Sequence, residues 1–188
     1  MNKIFGIGLS KTGTSSLNAA LEILGFRARH LPFMAYHYGR LVLEPRQMLE
    51  YDAFTDTPVA NCFKYLDSKY PDSKFIYTIR DKDSWLRSCE KHWGNAETDL
   101  SIVYERFKLF HLRMSVYGGI NFDKDRFSRA YDRHDERVRK YFGKSNQLLI
   151  LNICAGEGWQ ELCSFLNADI PEQAFPAKNV TALKESLR

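Results

Sequence analysis

Apolar positions along the 188-residue chain switch between two periods. Short runs dense in Ile, Leu, Phe and Val predict strands, whereas apolar residues recurring three or four apart predict helices. KIFGIG at residues 3–8 reads as a strand, and SSLNAALEILGF at 15–26 as a helix with Leu17, Ala20, Leu21 and Leu24 on one face. Gly25 is a natural stop for it. RARHLPF predicts a second strand ending at Pro32, HYGRLVLEPRQMLEY a weakly defined helical region, and DAFTDTPVA a third strand tip. The helix NCFKYLDSKY follows, closed by Pro71 and Asp72, and then the apolar strand KFIYTIR. DSWLRSCEKHW reads as a helix with Asp83 as its candidate N-cap. Between residues 94 and 130 the pattern predicts a helix and then the irregular YGGINFDKD. RAYDRHDERVRKYF is a charged helix, QLLILNI a strand and GWQELCSFLNA a helix before a Pro-punctuated tail.

Strands alternating with helices predict an α/β domain, residues 1–188, with a central parallel sheet covered on both faces as a three-layer α/β/α arrangement. Ligands of such folds bind beyond the carboxyl ends of the strands. KTGTSS, FTDTP and YTIRD all fall at predicted strand ends, where a shared site would have to lie.

Composition narrows the partners. With 27 basic and 23 acidic residues, the net charge of +4 comes without a basic tail, so a small anionic ligand fits and a nucleic-acid partner is not called for. No signal-peptide pattern and no apolar run long enough for a bilayer is present, giving a soluble, cytoplasmic expectation with no membrane span. Cys62, Cys89, Cys154 and Cys163 lack metal-ligand spacing and are expected as reduced thiols in or near the core. His37, His92 and His111 have no carboxylate or cysteine partner at ligand spacing, so no metal is expected.

The first chemical motif is FGIGLSKTGTSS. Gly8 and Gly13 have the spacing of a nucleotide-hydrolase phosphate loop, but Thr14 follows Gly13 directly and the lysine, Lys11, lies inside the loop. Gly13 allows a tight turn into a helix N-terminus, whose amides attract anions. The hydroxyls of Thr12, Thr14, Ser15 and Ser16 add donors, and Lys11 adds a positive charge. The second motif is YTIRDKDSWLRS, in which Arg80 ends a strand and Ser88 stands eight residues later on the next helix. A guanidinium forks onto phosphate, although a strand-end arginine more often pairs with a carboxylate such as Asp81 or Asp83.

Together these motifs resemble the sulfotransferase family that uses 3′-phosphoadenosine 5′-phosphosulfate. In it a lysine, a serine or threonine, glycine, threonine and another hydroxyl residue hold the 5′-phosphosulfate, and an arginine and serine eight apart hold the 3′-phosphate. The matching residues are Lys11 to Ser15, with Ser16 extending the run, and Arg80 with Ser88. FTDTPV, YPDSKFIYTIRDKDSW, Tyr131 with His134, and GWQELCSFLNADIPEQAFP extend the likeness to the single-domain bacterial branch, over most of the chain. The resemblance implies a P-loop NTPase-like sulfotransferase fold and transfer of a sulfuryl group to a hydroxyl or amine of a small-molecule or glycan acceptor. Lys11 would stabilise charge on the bridging oxygen, with no metal. Lys178 is a stand-in for the family's C-terminal basic loop, but the motif there does not match.

A general base should sit near the sulfuryl group. Many cytosolic members carry KTHLP at the third strand end; FTDTP aligns with it and puts Asp56 where that histidine stands. Asp56 and Thr57 also suit a helix cap before Pro58. His30, in RARHLP, repeats the HLP letters on the second strand and is the second candidate for the base. Phe33, Tyr36, Tyr38, Phe107, Phe110, Tyr117 and Phe122 could line an acceptor pocket or belong to the core. A nucleotide-kinase-like phosphotransferase, which needs a lysine after Gly13, and a non-catalytic nucleotide-binding protein are the alternatives.

Overall fold

The structure, a computed structural model, describes residues 2–37, 40–94 and 103–178. In chain order the elements are β1 (Ile4–Gly6), α1 (Thr14–Ile23), β2 (Ala28–His30), β3 (Met34–His37), β4 (Arg40–Leu43), α2 (Gln47–Glu50), β5 (Ala53–Thr55) and α3 (Thr57–Lys69). After these come β6 (Lys74–Thr78), α4 (Lys82–Trp93), α5 (Val103–Tyr117), α6 (Lys124–Phe142), β7 (Leu148–Leu151), a 3₁₀ turn (Ile153–Ala155) and α7 (Trp159–Leu166).

Five strands form one parallel sheet in the order β2-β5-β1-β6-β7. Alternation along each strand sends side chains to opposite faces. Phe5, Phe54, Phe75 and Tyr77 pack on one face with residues of α3 to α6, while Ile4, Ala53, Ile76 and Leu151 meet Leu17, Leu21 and Leu162 of α1 and α7 on the other. This is the expected three-layer α/β fold. Among the described residues, no helix is long and apolar enough to cross a membrane.

The region read as helical between β2 and β5 differs. It contains the antiparallel hairpin β3–β4 and only the four-residue α2. The apolar LVL of β4 is too short to define a helical period and suits a strand, and Pro45 follows it closely. Asp81, not Asp83, caps α4: its Oδ1 accepts from Ser84 N at 2.9 Å, and Asp83 falls in the first turn, where a carboxylate favours the helix dipole. α6 begins earlier than its charge pattern suggests, because Asp123 Oδ1 accepts from Arg126 N at 2.8 Å and opens the helix inside the stretch read as irregular. Cys62, Cys89 and Cys163 are buried and Cys154 is exposed. Burial pushes the Cys62 thiol up to about 12, and raises Cys89 further. Tyr117 is core and Phe122 packs against it, while Phe33, Tyr36, Phe107 and Phe110 are exposed; Tyr38 lies outside the described residues.

Candidate active site

The carboxyl ends of β1, β2, β5 and β6 converge, and each delivers one part of the site. β1 runs into the loop that carries Lys11. Gly8 is dictated by crowding: a Cβ there would lie 1.9 Å from Thr78 Oγ1 and 2.6 Å from the Thr78 carbonyl oxygen. Gly13 caps α1 at φ 98°, a left-handed conformation, and makes no side-chain cap. The ten-residue helix thus starts without a side-chain cap, and a helix N-terminus of this kind attracts anions.

The hydroxyls of the loop divide by role. Thr12 is buried and its Oγ1 bonds to the Leu9 carbonyl and to Thr78 Oγ1, both at 2.7 Å, fastening the loop to β6. Ser16, also buried, accepts from the backbone amide of Lys178 at 3.0 Å, so the C-terminal tail crosses the start of α1. Ser15 Oγ is 3.2 Å from His30 Nε2. Thr14 is buried at the first helical position.

Arg80 comes to the same loop from β6. Its Nη1 donates to the Lys11 carbonyl at 3.3 Å and its Nε to Ser84 Oγ at 3.0 Å. Ser88, half-buried, stands one turn beyond Ser84 on the same face of α4. The charge of Arg80 also acts on the thiol of Cys154, in the turn after β7. α6 braces this corner. Tyr131 donates its hydroxyl to the Arg80 carbonyl at 2.5 Å, and buried His134 donates Nε2–H to the Ile7 carbonyl at 2.8 Å. These residues pack helix on sheet, yet both grip strand ends that enter the site. Burial is the main reason His134 titrates at about 4 and stays neutral.

Asp56 joins β5 to α3 with φ 90° and ψ 177°, a region that costs a non-glycine residue about 1–3 kcal/mol. Lys11 at φ 74° and Leu31 at φ 52° add two more left-handed residues around the same point. Its Oδ1 accepts from Thr57 N at 2.8 Å, so the capping role expected of Asp56 is present. The same oxygen accepts from Ser10 Oγ at 2.6 Å. Ser10 in turn donates its amide to Thr57 Oγ1 at 2.8 Å, while Tyr117 OH lies 3.1 Å from that hydroxyl. Trp85 Nε1 donates to the Ser10 carbonyl at 2.9 Å, completing a buried mount. Ser10 escaped the sequence reading; a hydroxyl directly before the loop lysine was its signal.

His30 and Asp56, treated as rivals from the chain order, are neighbours. β2 lies beside β5 with His30 opposite Thr55, and His30 Nε2 is 3.5 Å from Asp56 Oδ2. From the opposite side His92 is held below its ordinary value, by burial first and then by the charges of Lys11 and Arg113, with Asp56 opposing. His92, for which the sequence offered no partner, thus sits within the field of the loop lysine. His111 instead bonds to Tyr36 OH at 2.5 Å beside a cavity of about 480 Å³ lined also by Leu41, Asn61 and Tyr65. Cys62 and Lys64 line it as well, so the cavity runs along α3. Among the described residues, no group of three or more His, Cys, Asp or Glu could hold a metal ion.

A lysine-bearing loop ahead of a helix N-terminus, an arginine from the end of β6, and a helix-capping aspartate at the end of β5 suit transfer of an anionic group. Comparison with known proteins agrees. The chain is similar to Ava biosynthesis cluster protein M of Aspergillus versicolor, 27% identical over 210 residues that cover 93% of this chain and 79% of that one. In fold it is similar to the crystal structure of a sulfotransferase from Alicyclobacillus acidocaldarius, with a TM-score of 0.58 at 16% identity, over 100% of this chain and 90% of the other. A profile of the sulfotransferase domain matches residues 3–183, and the chain therefore belongs to the sulfotransferase family.

Proposed function

We propose that the protein moves a sulfuryl group from 3′-phosphoadenosine 5′-phosphosulfate to a hydroxyl or amine of a small acceptor. The observation that carries this reading is the bond from Arg80 to the Lys11 carbonyl, because it brings the two sequence motifs together at the strand ends. The N-terminal turn of α1, with Thr14 and Ser15, would hold the 5′-phosphosulfate. Arg80 with Ser88 would hold the 3′-phosphate, Nε and Nη1 fixing the plane of the guanidinium while its other donors face the ligand. Thr12 and Ser16 act by shaping the loop, since their hydroxyls bond within the protein.

The residues divide the chemistry by charge. Lys11 stabilises the negative charge that grows on the bridging oxygen as its bond to sulfur breaks. Asp56 takes the acceptor proton through Oδ2, because Oδ1 is engaged by Ser10 and Thr57. The aromatic cavity along α3 fits a compact, partly apolar acceptor.

Isothermal calorimetry with 3′-phosphoadenosine 5′-phosphate tests the donor. Binding without added metal is expected, weakened about tenfold to a hundredfold in Arg80→Ala, the range for hydrogen bonds to a charged partner. Tighter binding of ATP with a magnesium requirement would overturn the reading in favour of phosphoryl transfer. Asp56→Asn should lower the rate of sulfate transfer to a phenolic test acceptor about 10²–10⁴-fold while leaving nucleotide affinity near the parent's.

A further inference from the structure

We propose that His30 is a positioning residue that works through Asp56 as a proton relay, a step that rests on the sulfuryl-transfer reading above. The hydrogens already committed around His30 fix its tautomer. Asn18 Nδ2 donates to Glu22 Oε1 at 3.0 Å, which fixes its amide so that Oδ1 faces Thr55. Thr55 Oγ1 donates to that oxygen at 3.2 Å and has no second hydrogen. It must therefore accept at the 3.0 Å contact with His30 Nδ1, and Nδ1 carries the proton. The neutral ring then presents a lone pair at Nε2, where Ser15 Oγ can donate at 3.2 Å and Asp56 Oδ2 lies at 3.5 Å.

The two oxygens of Asp56 are unequal in the same way. Oδ1 accepts from the Thr57 amide and the Ser10 hydroxyl, so Oδ2 is the oxygen that can take a proton, and it is the one beside Nε2. Exposure gives the relay a direction: the side chain of Asp56 is 10% accessible and that of His30 is 33%. A buried base thus passes its proton to a wetter one.

The step balances as follows. The acceptor O–H or N–H bond breaks and its electron pair forms the new bond to sulfur, while the bond from sulfur to the bridging oxygen breaks and its pair stays on that oxygen. The proton goes to Asp56 Oδ2 and then to His30 Nε2, restoring the carboxylate and leaving an imidazolium that releases its proton to water. The charged groups in reach are Glu22 of α1 through Asn18, Asp56 itself, and His92 of α4, which feels Asp56 together with Lys11 of the loop and Arg113 of α5.

The test is the pH dependence of kcat for sulfate transfer in the parent, His30→Gln and His92→Gln. The parent should lose activity on acidification, as the imidazole becomes protonated before turnover. His30→Gln should fall about tenfold or more at neutral pH, lose that acid limb and keep the parent's KM for the donor; imidazole added to His30→Ala should restore activity. His92→Gln should retain the limb. An acid limb and kcat in His30→Gln equal to the parent's would overturn the relay. Nitrogen-15 NMR of the nucleotide-free protein supplies a readout apart from activity: neutral His30 should carry its proton on Nδ1, and a proton on Nε2 would overturn the relay. Calorimetry separates the two readings, because the relay can fail in a protein that binds 3′-phosphoadenosine 5′-phosphate normally. A parent that ignores that nucleotide fails the donor reading instead.

Discussion

Acid should loosen this fold through His134 before it reaches the carboxylates. His134 is 5% exposed, lies edge-on to Phe63 and Tyr77, and donates to the Ile7 carbonyl where β1 enters the loop. Burial, aided by Arg137 and Arg133, lowers its titration point to about 4. In the unfolded chain an imidazole titrates near 6.5, so below that value the unfolded state binds a proton that the folded state refuses. Stability therefore falls as pH falls from about 6.5 towards 4, and the loss levels off below the folded value. A gap of about 2.5 units at about 1.36 kcal/mol each gives about 3 kcal/mol in full, of which about 2 kcal/mol is spent between about pH 7 and about pH 5. Asp52, held at about 2 by Arg27, adds a loss only at lower pH, whereas His92 adds a term of the same sign. Urea titrations of the parent and His134→Gln at both pH values isolate the effect. The parent should lose about 2 kcal/mol more than the variant over that interval. Equal losses in both proteins would refute the assignment of the proton to this ring.

Gly8→Ala should destabilise by about 2 kcal/mol or more, lowering the melting temperature by about 4–8 °C, because its methyl group would meet backbone as well as the Thr78 hydroxyl. Tyr131→Phe removes the bond to the Arg80 carbonyl and should cost about 1 kcal/mol, with weaker binding of 3′-phosphoadenosine 5′-phosphate; melting curves with and without the nucleotide check both effects.

Much of the fold was legible because β1, β5, β6 and β7 are short, largely apolar and each leads into a helical segment, a pattern that local periodicity reports well. The hairpin β3–β4 was not, since two four-residue strands carry no period long enough to separate strand from helix. Lys11, Gly13 and Arg80 were readable from motif order. The inward turn of the Thr12 and Ser16 hydroxyls was not, because their partners are Thr78 and the distant Lys178 amide. Most instructive is His30. Chain order separates it from Asp56 by a whole strand and hairpin, but the sheet places β2 beside β5, and no local feature of either segment states that adjacency.

The strand order also bears on how the molecule is assembled. β1, earliest in the chain, is the middle strand of the sheet, with Ile4 paired to Ala53 on one side and Lys74 on the other. Contacts between such distant segments slow folding, since a long loop must close before any pairing rewards it. A nascent chain emerging from the ribosome can form α1 early, yet the loop ahead of it acquires its lasting shape only when Thr78 arrives to brace Thr12. Anion affinity would then mature only once the chain has grown past Thr78, well after the loop residues themselves have been made.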